Sequence, residues 1–153
     1  MNQVSVININ SPFLDQKPGT SGLRKSTLKF QEDHYLEVFI EAILQSLEDL
    51  KGSTLVVGGD GRYGNIEAIE KIVQICIAHK VQKVIVPKYG LLSTPATSHL
   101  IRKEKAIGGI ILSASHNPGG IDGDFGVKLN ISNGGPAPEI ITNKIFDNKR
   151  VNI

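Results

Sequence analysis

The sequence predicts an α/β layered fold, and three observations carry that expectation. Short runs with strand character alternate along the chain with segments whose apolar residues recur at three- and four-residue spacing. The stretches between them are rich in Gly, Pro, Asn and Ser, the residues of tight turns. At 153 residues, 40% hydrophobic and 21% charged, the chain is one domain's worth of an ordinary globular protein, large enough to bury a real core.

Residues 4–9 alternate apolar and polar side chains as a half-buried strand would. A polar, glycine-containing loop follows through Lys25. Leu36, Phe39, Ile40, Ile43, Leu44, Leu47 and Leu50 then form one apolar stripe, with Glu37, Glu41 and Glu48 on other faces, which predicts a helix ended by Gly52. Residues 54–57 read as a buried strand. A second helix is predicted over 66–79, with Ile66, Ile69, Val73 and Ile77 facing inward, Asn65 as its cap and Glu67 at the positive end of its dipole. Residues 84–86 form a short strand. Ser93 or Thr94 followed by Pro95 starts a third helix, because proline gives up an amide that would be unpaired there anyway, and this helix ends near Lys103. Strands are predicted over 107–112 and 127–131, and a last helix over 136–146. No internal repeat or low-complexity segment stands out.

Composition excludes several classes. A net charge of +2 is too small to argue for a nucleic acid or a membrane surface as partner. Cys76 is the single cysteine, cannot form an internal disulfide and falls in the second helical pattern, where a small buried thiol is the default. Neither a signal-like start nor a run of 18 apolar residues occurs, so a cytoplasmic protein is expected.

The most informative stretch is Ser113-Ala114-Ser115-His116-Asn117-Pro118-Gly119-Gly120-Ile121-Asp122, where the apolar run 107–112 empties into a polar turn. Asn, Pro and Gly reverse the chain, and the glycines leave room for a bulky anion beside the backbone. Any tight surface turn uses these residue types too. The wider string adds Gly108-Gly109 before the turn and Gly123-Asp124-Phe125-Gly126-Val127-Lys128-Leu129-Asn130 after it. Taken together, it resembles the phosphoserine signature of the phosphoglucomutases, in the α-D-phosphohexomutase superfamily.

Further segments are similar to the same family: 17–25 to its amino-terminal active-site loop, 56–63 to its next strand and turn, and 92–96 and 134–139 beyond. The resemblance implies a mixed sheet layered with helices, of the type of the family's first domain, over residues 1–146. Residues 147–153 form a tail without a clear counterpart, and the family's later domains are absent. Within the superfamily, the wording of the serine turn points to the glucose-phosphate branch rather than the mannose or glucosamine branches.

A serine hydroxyl suits phosphoryl transfer because its phosphate ester persists yet is transferable once its charge is neutralised. Phosphoserine brings about −1.5 to −2 charges, so cations and amide donors must surround it. Arg24, with a planar fork for phosphate oxygens, and Lys128, a compact cation, are the candidates. The resemblance implies that Ser115 carries the phosphate, that Arg24 reaches the active site and that Lys128 works near the phosphoserine in proton transfer. His116 is a second candidate for acid or base work, ranked below Lys128, with an orienting role in the turn beside it. Thr20 and Ser21 are candidate hydrogen-bond donors in a substrate cleft, and ordinary turn formers otherwise.

Three decoys need weighing. Gly59-Asp60-Gly61-Arg62-Tyr63-Gly64 fits the dinucleotide pattern, but the strand some 20 residues on ends in Val86-Pro87-Lys88 with no ribose-binding acid, and Arg62 and Tyr63 crowd the place of a pyrophosphate. Turn glycines are the better reading. His34, His79 and His99 have no metal-gathering spacing. Asp122 and Asp124 are read as turn formers rather than a hard-cation loop. The resemblance implies Mg²⁺ as cofactor of the intact enzyme, with Ser115 contributing one ligand through its phosphate and the other ligands lying in the next domain.

The resemblance thus implies a phosphoglucomutase portion interconverting glucose 1-phosphate and glucose 6-phosphate, small sugar phosphates, through phosphoserine and glucose 1,6-bisphosphate as activator. An isolated chain is expected to be inactive without the remaining domains, supplied in trans if at all. The alternative is a truncated, non-catalytic phosphoprotein module.

Overall fold

This computed structural model describes residues 4–9 and 13–148. The strands are β1 (Leu23–Ser26), β2 (Thr54–Gly59), β3 (Lys83–Ile85), β4 (Gly108–Leu112) and β5 (Asp124–Ile131). The helices are α1 (Thr27–Phe30), α2 (Tyr35–Ser46), α3 (Asn65–Ala78), α4 (Thr94–Lys103) and α5 (Glu139–Asp147). The strands form one five-stranded sheet in the order β1-β5-β4-β2-β3. β2 runs parallel to β3 and β4, whereas β5 is antiparallel to β4 and to β1, so the sheet is mixed.

Helical crossovers are what parallel pairing demands, and α3 and α4 supply them between β2, β3 and β4. Layers therefore cover both faces. Tyr35, Phe39, Ile40 and Ile43 of α2 and Ile69, Ile72 and Cys76 of α3 share the main core with Leu55, Val57, Ile110, Leu112, Phe125 and Val127. On the other face, Val56 packs with Ile101 of α4 and Ala106. A strand covered on both sides reads as a continuous apolar run, which is why β4 is buried at every position. Burial pushes the Cys76 thiol up to about 12, as expected of an inert packing cysteine.

Several expected boundaries are corrected. No strand forms over residues 4–9, where only Asn8 makes a bridge; Val4 and Val6 are 64% and 66% exposed, so the apolar side of the alternation is not packed on the sheet. β1 itself lies in what reads as polar loop, and four residues of mixed character carry too little periodicity to announce it. α2 stops at Ser46, with Leu47 already extended, well before Gly52. Leu47 and Leu50 still pack on the core from outside the helix, so the apolar rhythm outlasts the helix. Asn65 is the first residue of α3 rather than its cap; Gly64, at φ 83, is the cap. The inward stripe of α3 is Ala68, Ile69, Ile72, Ile75 and Cys76, while Ile66 and Ile77 are exposed and Val73 is half-buried. α5 begins at Glu139, because Pro136 is still extended and bridges Asn130. Of the expected tail, Asp147 completes α5 and Asn148 is its C-cap, and residues 149–153 lie outside the described residues.

Ser93 caps α4 by accepting a hydrogen bond from the Ala96 amide at 3.3 Å, with Pro95 in the first turn as the sequence requires. His34 and His79 stand at helix ends and His99 inside α4, as expected.

Candidate active site

The chain between β4 and β5, residues 113–123, carries the serine turn. Ser115 sits there in the left-handed region at φ 57, a conformation that costs an L residue about 1–2 kcal/mol, and both it and His116 are exposed. Neighbouring groups hold this geometry. The Ser115 amide donates to Ser113 Oγ at 3.0 Å, and the Ser115 carbonyl accepts from Arg62 Nη2 at 3.1 Å. Asn117 Nδ2 donates to Asp124 Oδ2 at 2.8 Å across the loop. Thr27, nearly fully buried, donates its hydroxyl to the Gly120 carbonyl and its amide to the Gly123 carbonyl, both at 2.8 Å.

Asp60 and Arg62 follow β2 and meet this loop from the side. Arg62 Nε and Nη2 donate to the Asp60 carboxylate at 2.8–3.0 Å, and Arg62 Nη1 donates to the Asp124 carbonyl at 2.7 Å. Ser113 Oγ donates to Asp60 Oδ2 at 2.8 Å. Burial pushes the Asp60 carboxyl up, but the hydrogen bonds from Arg62 and Ser113 outweigh it and leave the group below its ordinary value. Neither residue emerges from sequence reasoning, which sees only a glycine pattern around them. Asp and Arg two apart, just past a strand and ahead of a helix, were the available signal.

Arg24 and Lys128 share one face of the sheet with Ser113. In the register, Arg24 lies opposite Gly126, Ser113 donates its amide to the Gly126 carbonyl, and Lys128 lies opposite Ile111 one step further along β5. Gly126 leaves the gap that the arginine stem needs. A Cβ there would strike the Ser113 carbonyl oxygen and come within 3.2 Å of Arg24 Cγ. The Nε of Arg24 is buried and has no hydrogen-bond partner among the described residues. Arg24 and Lys128 are both half-buried.

Thr20 and Ser21 form the exposed tip of a tight turn closed by reciprocal Gly19 and Gly22 backbone bonds of 3.0 and 3.1 Å, immediately before β1. They lie past Lys128, away from the Ser113 row. The His116 ring makes no hydrogen bond to any described residue, so the expected orienting role passes to Ser113, Arg62 and Asn117. A concavity of about 300 Å³ opens among Phe30, Tyr63, Lys71 and Phe125, and another of about 410 Å³ among Arg62, Ile66, Tyr89 and Leu91; neither is lined by Ser115. The serine stands on open surface.

Among the described residues no three His, Cys, Asp or Glu side chains gather as a metal site. Asp60 is engaged by Arg62 and Ser113, and Asp124 by Asn117. These residues do not fit Mg²⁺ by themselves. Asp124 opens β5 and its carboxylate ties the turn, in keeping with the structural reading of the Asp122-Gly123-Asp124 segment.

A family model for the phosphoglucomutase/phosphomannomutase α/β/α domain I matches residues 15–151. The chain belongs to this family. Phosphoglucomutase of Aspergillus fumigatus is 56% identical over 140 residues, covering 91% of this chain and 25% of its own length. Phosphoglucomutase-1 of Bos taurus is 55% identical over 147 residues, covering 94% and 26%. In the solved open form of the exocytosis-sensitive phosphoprotein pp63/parafusin, a phosphoglucomutase from Paramecium, the TM-score is 0.90 at 45% identity, covering 97% of this chain and 28% of that one. The mixed α/β fold is thus that of the phosphoglucomutase first domain, and the chain spans about a quarter of the length of the curated relatives it matches. In this family's setting the dinucleotide-like glycines serve the chain's bend: Gly61 and Gly64 have φ 81 and 83, and Asp60 and Arg62, on either side of Gly61, neutralise each other.

Proposed function

We propose that this chain is the phosphoserine-bearing portion, residues 1–146, of a phosphoglucomutase. The observation that carries the proposal is Ser115, exposed on a braced turn beside a sheet face that presents Lys128 and an arginine, Arg24, whose buried Nε has no partner among the described residues. In the first half-reaction Ser115 Oγ attacks a phosphorus of glucose 1,6-bisphosphate. The Oγ–P bond forms, the sugar O–P bond breaks, and the serine proton passes through Lys128 to the released sugar oxygen. In the second half-reaction the phosphoserine gives its phosphoryl group to the free hydroxyl of an incoming glucose monophosphate phosphorylated at the other position. The Oγ–P bond breaks, the new sugar O–P bond forms, the hydroxyl proton returns through Lys128 to Ser115 Oγ, and glucose 1,6-bisphosphate is regenerated. Arg24 neutralises the phosphate oxygens, since its guanidinium fork can take two of them. His116, exposed next to Ser115, is the lesser acid–base candidate. Thr20 and Ser21 serve the sugar as hydrogen-bond donors from the far side of Lys128.

In this reading Mg²⁺ meets the chain only at the phosphate on Ser115, and its remaining ligands come from later domains. The substrate is a small sugar phosphate, with neither nucleic acid nor membrane as partner, and the protein is cytoplasmic. No helix among the described residues is long and apolar enough to cross a membrane.

The test is complementation. The purified chain alone is expected to show negligible mutase turnover. Mixed with the remaining domains of a phosphoglucomutase and Mg²⁺, it regains turnover that Ser115→Ala abolishes. Robust turnover by the chain alone, or by Ser115→Ala in the mixture, contradicts the proposal; no turnover in any mixture favours a non-catalytic module.

A further inference from the structure

Ser115 leaves ordinary backbone space at φ 57, and a serine has no intrinsic reason to remain there. Both of its backbone hydrogen bonds trace to one carboxylate. Its amide donates to Ser113 Oγ, which donates to Asp60 Oδ2 at 2.8 Å; its carbonyl accepts from Arg62 Nη2, which also donates to Asp60 Oδ2 at 2.8 Å. Arg62 reaches across to the other arm of the loop through the Asp124 carbonyl at 2.7 Å, and its side chain is only 7% exposed.

We infer that Asp60 and Arg62 are positioning residues that lock the Ser115 peptide in its left-handed conformation and so aim the hydroxyl. The inference rests on the reading of Ser115 as the phosphate acceptor and assigns to the two residues a task distinct from that of Arg24. Of the five N–H donors of a guanidinium, Arg62 already directs Nε, one hydrogen of Nη1 and both of Nη2 at protein acceptors. Little of its fork is left for a ligand. Its charge is also matched by Asp60 at 2.8 Å, whereas Arg24 pairs with no described carboxylate and keeps its Nε unpartnered. A single point cation cannot reach the Ser115 carbonyl, the Asp124 carbonyl and the Asp60 carboxylate together, so a lysine in place of Arg62 keeps the charge and loses the geometry.

Two readouts test this, the first on the chain itself and the second on the chain mixed with the complementary domains of a phosphoglucomutase and Mg²⁺. Backbone NMR couplings give the sign of φ at Ser115, and intact mass follows phosphate uptake from glucose 1,6-bisphosphate against time and concentration. Wild type is expected to show positive φ. Arg62→Lys and Asp60→Ala are expected to lose it while the rest of the spectrum stays folded, and to take up phosphate ~10–100-fold more slowly at saturation, as misaimed reacting groups do. The concentration for half-saturation stays unchanged. Asp60→Asn, which keeps an acceptor at the same place, falls between them and serves if Asp60→Ala fails to fold.

Positive φ persisting in folded Arg62→Lys, or in folded Asp60→Ala, overturns the inference. So does a loss confined to half-saturation, which would make Arg62 a phosphate ligand. If wild type takes up no phosphate, the reading of Ser115 fails, while the coupling measurement still decides whether the brace exists.

Discussion

At the scale of single residues, the site is organised by one absent side chain and one unsatisfied one. Gly126 stands in the sheet between Arg24 and Ser113, and a methyl there would press on the Ser113 carbonyl oxygen and the arginine stem. Gly126→Ala is therefore expected to lose about 1–3 kcal/mol of stability, the usual cost of overpacking, and to displace Arg24; urea unfolding measures the first. Arg24→Ala should behave oppositely. Because it deletes a buried Nε that has no partner among the described residues, the melting temperature is expected to hold or rise, while phosphate uptake at Ser115 falls by about 10²–10³-fold, the effect of losing one charge-stabilising donor. A lower melting temperature with unchanged uptake would make Arg24 a structural residue. Ser115, Arg24 and Lys128 were legible as candidates because two separate segments, 17–25 and 108–130, resemble the family's, and their roles rest on that resemblance. Asp60, Arg62 and Thr27 were not, since each acts through a long-range hydrogen bond to the serine loop that no local pattern encodes.

At the scale of elements, α3 shows how far periodicity reaches. Its existence and length follow from the pattern, but its inward face is turned by one position: Ile72 is fully buried and Ile66 is 48% exposed. Ile72→Ala is expected to cost about 2–5 kcal/mol and Ile66→Ala less than about 0.5, compared in chemical denaturation. The alternation of apolar residues fits two adjacent stripes nearly equally, and only the sheet beneath selects one. The C-terminus of α3 is joined to α2 by His79 Nε2, 2.9 Å from both Glu41 oxygens, with Gln45 donating to Glu41 as well. The hydrogen bond to Glu41 raises the His79 pKa above 6.5 against the opposing effect of burial. Burial pushes Glu41 up, but the bonds from His79 and Gln45 outweigh it and leave the carboxyl below 4.5. The sign follows for each. His79 stabilises fully below pH 6.5 and less as pH rises through its raised folded value, and Glu41 stabilises above pH 4.5 and less as pH falls through its lowered one. His79→Ala is expected to cost about 1.5–3 kcal/mol near pH 6 and progressively less toward pH 9. A cost that does not change across that range would remove the ion pair from the account.

At the scale of the whole molecule, the α/β order and the mixed sheet were legible because buried parallel strands, alternating helices and a family-specific string agree with one another. The edges were not. β1 is short and of mixed polarity, and its place in the sheet depends on pairing with β5, about a hundred residues away in sequence. The result is a layered body that leaves Ser115 on open surface, and the curated relatives it matches run about four times its length. The most direct measurement is the mass of the chain after exposure to glucose 1,6-bisphosphate with the complementary domains and Mg²⁺, followed by mapping of the modified peptide. The account predicts a single phosphate, on Ser115, absent from Ser115→Ala. A phosphate on any other residue, or none under conditions where an intact relative is phosphorylated, contradicts it.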